Sequence, residues 1–213
     1  MILNYPGTIM RIKFILIFIA SILFLTACAG VGVLKTSDPL EKLNEAESLT
    51  FDQGRPLLAE RLIMEAMTIY KERNDNHGLG HSNRSYAELL LSNSVAVKWQ
   101  KFYKENGFQD RSVTFENKET KATEYYKRAM DYYVITVVEH QKTQRYDALT
   151  NVYFNMATTS AILKNKEMAC KYFENTKEAY NENIKRNPTA KPYSPKGTLI
   201  ELVDQQMKRV GCN

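Results

Sequence analysis

Three histidines and three cysteines are the side chains of this 213-residue chain best suited to chemistry. His77 and His81 lie four apart, the spacing that can turn two imidazoles toward one metal ion from a helix. The stretch between them, Gly78-Leu79-Gly80, argues against a helix, and spacing sets no third ligand. The expectation is therefore a pair of solvent-exposed turn histidines and no metal site. His140 falls at the end of a helical pattern, where a cation suits the carbonyl end and no catalytic role is required. Glu116 and Glu119 stand among lysines and read as solvated surface. No Gly-rich phosphate loop, G-x-S-x-G elbow, H-E-x-x-H or C-x-x-C occurs. The chain reads as neither an enzyme nor a cofactor carrier.

Cys170 lies in the first turns of one helical pattern, which runs to Arg186, and Cys212 just past the end of another, which begins at Lys196. If these helices pack antiparallel, both cysteines reach the same end. A bridge between them would then pin the last helix; the alternative is two free thiols, one buried beside Ala169 and one at a frayed terminus. Cys28 has a different setting. Arg11 and Lys13 precede an uncharged run that ends in Leu25-Thr26-Ala27-Cys28, the layout of a signal peptide with its cleavage site.

Those last four residues resemble the lipobox of bacterial lipoproteins. The resemblance implies that the Cys28 sulfur takes a diacylglyceryl group, that the peptide is cut before Cys28, and that the new amino terminus is held at the membrane. Residues 1–27 would be the signal peptide, with Met10 as the real start, and 28–37 a lipidated tether. Fully extended, Ala29 to Ser37 reaches roughly 30 Å, so the domain would sit close to its membrane. Ala29, rather than Asp, after the lipidated position implies sorting to the outer membrane, facing the periplasm; in a Gram-positive cell the tether would face outward from the cell membrane. The uncharged run Phe14 to Leu34 is also long enough for an uncleaved transmembrane anchor.

Removing the first 27 of the 213 residues leaves 186, enough for one domain with a real core. Arg11 and Lys13 leave with the leader and no acid does, so 27 basic and 24 acidic residues remain, a charge of +3. That is too mild to imply nucleic acid. Helical periodicity runs throughout, and no alternating run of branched residues suggests a strand. Asp38, Pro39 and Glu41 mark a helix start with a capping box, and that helix runs to about Phe51 with Leu40, Leu43, Ala46 and Leu49 on its stripe. Pro56 opens a second helix to Glu72, with Leu58, Leu62, Ala66 and Ile69 apolar. The stretch from Asn74 to Gly80 reads as a turn, Ser82 to Glu105 as one helix, and Phe108 to Asn117 as a polar loop. Helices over 118–141, 146–163 and 166–186 follow. Asn187-Pro188, Pro192 and Pro195 then force an extended connector, and a last helix occupies 196–210 with Leu199, Leu202, Val203 and Met207 on its stripe.

One spaced pattern occurs three times. Ala59, Ile63, Ala66 and Tyr70 follow intervals of 4, 3 and 4, as do Ala122, Tyr126, Ala129 and Tyr133, and Ala169, Phe173, Thr176 and Tyr180. Such a comb sets small and large side chains on one helix face, which lets a neighbour approach closely. Tyr153-x-x-Met156-Ala157 and Leu43-x-x-Ala46 each stand ahead of a comb. This arrangement resembles the tetratricopeptide repeat family in degenerate form. Lys164 stands where a turn Gly is usual, Thr176 replaces a small apolar residue, and the middle pair needs an insertion before Ala122.

The resemblance implies an all-α fold over 38–213, with helix hairpins stacked as a superhelix, a C-terminal capping helix, and a concave face that takes peptides or proteins. Tyr86, Asn93, Tyr153 and Asn155 are its candidate groove residues; the tyrosines could equally be packing between helix pairs. The expected function is an envelope scaffold or assembly factor, tethered through Cys28 and bound to another envelope protein or peptide. The alternatives are a different helical bundle, or an accessory subunit of an envelope enzyme or a secretion or pilus machine.

Overall fold

The computed structural model describes residues 36–188 and 198–212. Among these every regular element is helical. Cys28, the tether up to Lys35, the Phe14–Leu34 run, Pro192 and Pro195 lie outside the described residues, and among the described ones no helix is long and apolar enough to cross a membrane.

Helix α1 spans Pro39–Phe51 and begins as its residues dictate. Asp38 accepts from Leu40 N at 2.8 Å, and Pro39 occupies the first turn. Glu41 does not close the expected box. Its carboxylate takes the Thr36 hydroxyl at 2.5 Å, and Thr36 itself accepts from Asp38 N at 3.0 Å. Leu40 also departs from expectation, at 46% exposed, whereas Leu43, Ala46 and Leu49 are buried. Helix α2, Pro56–Glu72, packs on α1.

Helix α3 spans Asn76–Leu91 and so begins earlier than the Ser82 expected. Asp75 caps it, accepting from Gly78 N at 2.9 Å. Gly78 and Gly80 serve close approach rather than a turn: a Cβ on Gly78 would overlap the Tyr70 ring, and one on Gly80 would stand 2.5 Å from Tyr133 Cε1.

The expected single helix to Glu105 is also broken. Ser92 is extended, with φ −65° and ψ 148°, and its hydroxyl accepts from Val95 N at 3.3 Å, a local bond that competes with the helix ladder. A π-helical turn, Ser94–Lys98, and a short helix α4, Gln100–Asn106, follow. The 107–117 segment is irregular as expected, but it is no solvated loop, because Phe108 and Val113 are buried.

Helices α5 (Lys118–Lys142), α6 (Tyr146–Ile162) and α7 (Lys166–Arg186) match the periodicity closely. The last helix, α8, is Leu199–Val210, held by a capping box between Thr198 and Glu201. Its face buries Leu199, Val203 and Met207 against Ala157, Ala169 and Phe173, while Leu202 is 37% exposed.

Apart from α4, each helix packs on the next, α1 on α2, α2 on α3, α3 on α5, α5 on α6, α6 on α7 and α7 on α8. Eleven of the twelve comb positions are buried at 7% exposure or less, and Tyr180 is half-buried.

The turns repeat too. Gly54, Asn74, Gln144 and Lys164 take φ of 64°, 51°, 54° and 59°, each two residues ahead of the next helix. The N–H groups of Asp75, Arg145 and Asn165 donate to the carbonyls of Tyr70, His140 and Ser160 at 3.0, 3.0 and 2.9 Å, the Schellman closure around a left-handed residue. Lys164 therefore adopts the conformation for which Gly is the usual residue.

Candidate functional site

Because α3 starts early, His77 and His81 are helical neighbours, with ring centroids 5.2 Å apart. His140, in the last turn of α5, stands 5.9 Å from His77. All three histidines of the chain thus meet where α3, α5 and α6 converge, and the expectation of exposed turn histidines is corrected. The Nε2 atoms of His77 and His140 are buried without a hydrogen-bond partner. Asn76 Nδ2 donates to Glu139 Oε1 at 3.0 Å along the rim. Among the described residues, no group of three or more His, Cys, Asp and Glu is placed to hold a metal ion.

Deeper in the junction, Arg84 of α3 donates to Asn155 Oδ1 of α6 at 2.5 Å, and Asn155 Nδ2 lies 2.7 Å from His81 Nε2. The Arg84 guanidinium pairs with Glu88 at 2.9 Å, both side chains about a quarter exposed at 24% and 25%. Burial pushes His81 down to about 3, and the His77 and Arg84 charges act in the same direction. Burial also lowers His77. It raises Glu88 despite the opposing pull of Arg84.

A second buried centre is the Glu60 carboxylate, 2% exposed on α2. Oε1 accepts from Tyr86 Oη at 3.0 Å and from Gln109 N at 2.7 Å, and Tyr103 Oη donates to Oε2 at 3.5 Å. Burial raises its pKa, and these donors oppose the rise. Chemically this is an anchor. It ties α4 and the 107–117 segment to α2, helped by Trp99 Nε1 donating to Gly54 O at 2.9 Å.

An open surface groove lies between the first half of α6 and the second half of α7. Its cavity is about 440 Å³. Leu149 and Ala179 form the apolar floor, Tyr146 and Tyr153 supply rings, and Glu178 and Glu182 supply carboxylates. Gln141 of α5 donates to Tyr153 Oη at 3.0 Å. At the mouth the chain's own Arg186 lies 4.5 Å from the Tyr146 ring centroid and 3.6 Å from Glu182.

No family matches this chain. No curated protein and no solved structure matches it either. Any functional reading rests on the side chains themselves.

Of the four groove candidates, only Tyr153 lines this groove. Tyr86 is a core residue, fully buried, bonded to Glu60, with its ring 4.7 Å from that of Tyr125. Asn155 is buried with its amide taken up by Arg84 and His81. Asn93 is exposed between α3 and the π-helical turn, away from the groove. Tyr86 and Asn155 lie off the groove for one reason: they face neighbouring helices that periodicity alone cannot locate.

Cys170 and Cys212 are joined as a disulfide, with Cα atoms 5.6 Å apart. It ties the start of α7 to the end of α8. Sequence reasoning missed Glu60, Arg84 and the convergence of His140 with His77. A charged residue within the α2 comb, beside Ala59, was the available signal for Glu60.

Proposed function

We propose that this chain is a membrane-tethered envelope lipoprotein whose stacked helix hairpins present a binding surface to another envelope protein. The observation that carries the reading is the recurrence of one unit: three buried small-and-large combs, on α2, α5 and α7, and the same left-handed turn at Asn74, Gln144 and Lys164. A recurring hairpin that buries its comb against the next pair is how helical-repeat proteins build extended surfaces. The tetratricopeptide-like reading of the hairpins and the role of α8 as a cap are part of this proposal. So are the lipid on Cys28 and sorting to the outer membrane.

The groove beside Tyr153 is the proposed contact. Its apolar floor, the Tyr153 ring and the Glu178 carboxylate suit a basic side chain of a partner segment, with an aliphatic stem below and a charged head above, beside Tyr146 and Glu182, which Arg186 engages. Arg186 at the mouth shows the chemistry within the chain itself, stacked on Tyr146 and paired with Glu182. Nearby, Val134, Ile135 and Val138 of α5 are about half exposed, at 51%, 46% and 46%, and add apolar surface.

The test is a photo-crosslinking residue placed at Glu178 in intact cells. A discrete adduct with another envelope protein is expected, absent when the same residue replaces Lys101, an exposed position on α4 away from the groove. Adducts identical to those of an unrelated lipoprotein would count against it.

A further inference from the structure

We propose that the Arg84–Asn155–His81 chain is a proton-sensitive latch between α3 and α6, closed only while His81 is neutral and opened more often as the medium turns mildly acidic.

The orientation of each group follows from the chemistry of its neighbour. Arginine can only donate, so Asn155 must turn Oδ1 toward Arg84. Its Nδ2 then faces His81 Nε2 at 2.7 Å and must donate, which leaves that ring nitrogen as the acceptor. The ring therefore carries its proton on Nδ1. Protonation would set N–H against N–H, and flipping the Asn155 amide would only move the clash to Arg84. A buried donor or acceptor stripped of its partner is costly, so the charged ring and the closed latch exclude each other.

The surroundings offer the extra proton no compensation. On α3 itself His81 faces His77 and Arg84, both of which oppose a positive charge; Glu88 is engaged by Arg84, and Asp75 acts on His77. From α5 come Tyr133, its ring centroid 6.3 Å away, His140 behind His77, and Tyr126 near Glu88 and Arg84. From α6 the contact is the uncharged Asn155. From α2, Tyr70 lies against Gly78, and from α1, Glu47 acts on Glu88.

Burial holds His81 near 3 in the closed state, against an ordinary value of 6.5. A group depressed by folding contributes stability that is complete above 6.5 and declines as the pH falls toward its folded value. If the ring regains its ordinary value once α6 moves away, opening at pH 5 is favoured roughly 30-fold over opening at pH 8. The release would spread from the joint, because Tyr153 lies two residues from Asn155 on the same helix.

The test compares hydrogen exchange of α6 amides in the full chain and its His81→Gln variant between pH 8 and pH 5, corrected for intrinsic exchange rates. The Gln side-chain oxygen still accepts from Asn155 and does not titrate. Wild type should lose protection in α6 by roughly 30-fold, while His81→Gln should lose several-fold less. Equal losses in the two chains, or none in wild type, overturn the proposal. Nitrogen-15 NMR of the wild-type imidazole supplies a readout that survives a poorly folding variant. The latch requires a His81 ring protonated on Nδ1 alone at pH 7 and still neutral at pH 5; a ring protonated on Nε2, or one that titrates near 6.5, overturns it.

Discussion

Gly80 on α3 lies so close to Tyr133 on α5 that a methyl group in place of its hydrogen would stand 2.5 Å from the ring's Cε1 atom. Tyr133 is fully buried and cannot retreat without disturbing Ala129, Val152 and Met156 around it. Gly80→Ala should gain about 1 kcal/mol in helix propensity and lose more to overpacking, for a net loss of about 1–2 kcal/mol. Denaturant melts would check this. An unchanged or raised midpoint would mean that the contact is not close.

Glu60 should show a split between two substitutions. Glu60→Ala removes the acceptor for Tyr86, Tyr103 and Gln109 and should cost about 2–4 kcal/mol. Glu60→Gln keeps one acceptor oxygen without the charge and should cost under about 1 kcal/mol. Limited proteolysis should find the 92–117 segment cut faster in the Ala variant only. Because burial raises the Glu60 pKa, the part of the stability linked to its protonation is complete below the ordinary 4.5 and is lost as the pH rises through the raised value. The Gln variant should flatten that part of the stability profile.

The turn between α6 and α7 offers a gain. Lys164 holds φ 59°, a conformation that costs a side-chain-bearing residue about 1–2 kcal/mol. Allowing for the entropy that Gly adds to the unfolded chain, Lys164→Gly should stabilise by about 0.5–1 kcal/mol and Lys164→Val should destabilise. Chemical denaturation of the three chains gives the order directly.

Reduction should act locally first. The Cys170–Cys212 bridge closes a separation of 42 residues, worth up to about 4 kcal/mol in the chain-entropy model. Reductant should expose α8 amides to exchange before those of α1, as Val203 and Met207 leave Phe173 and Ala169. Uniform loss across the helices would argue that α8 is not held independently.

Much of this architecture can be read from the residues alone, for identifiable reasons. The combs at Ala59, Ala122 and Ala169 are legible because burial against a neighbour forces small and large side chains into helical spacing. Asp38-Pro39 marks a helix start through local chemistry. The start of α3 is hidden because Gly78 and Gly80 look like a turn unless Tyr70 and Tyr133 are known to lie against them. The break at Ser92 is masked by the apolar residues on both sides, from Leu89 to Val97. Of the groove, Tyr153 lines the cavity, Tyr86 takes the packing alternative that the sequence leaves open for it, and Asn155 turns inward to Arg84 and His81, because facing a groove and facing a neighbouring helix leave the same periodicity. The meeting of His140 with His77 depends on how α5 lies against α3, which no local pattern records.

The proposed function depends on lipid at Cys28 holding the helical domain to its membrane. Mass spectrometry of the amino-terminal peptide from protein extracted from membranes reads this modification. The peptide should begin at Cys28 and carry a diacylglyceryl group; an unmodified Cys28 within an intact Phe14–Leu34 segment would refute the lipid tether.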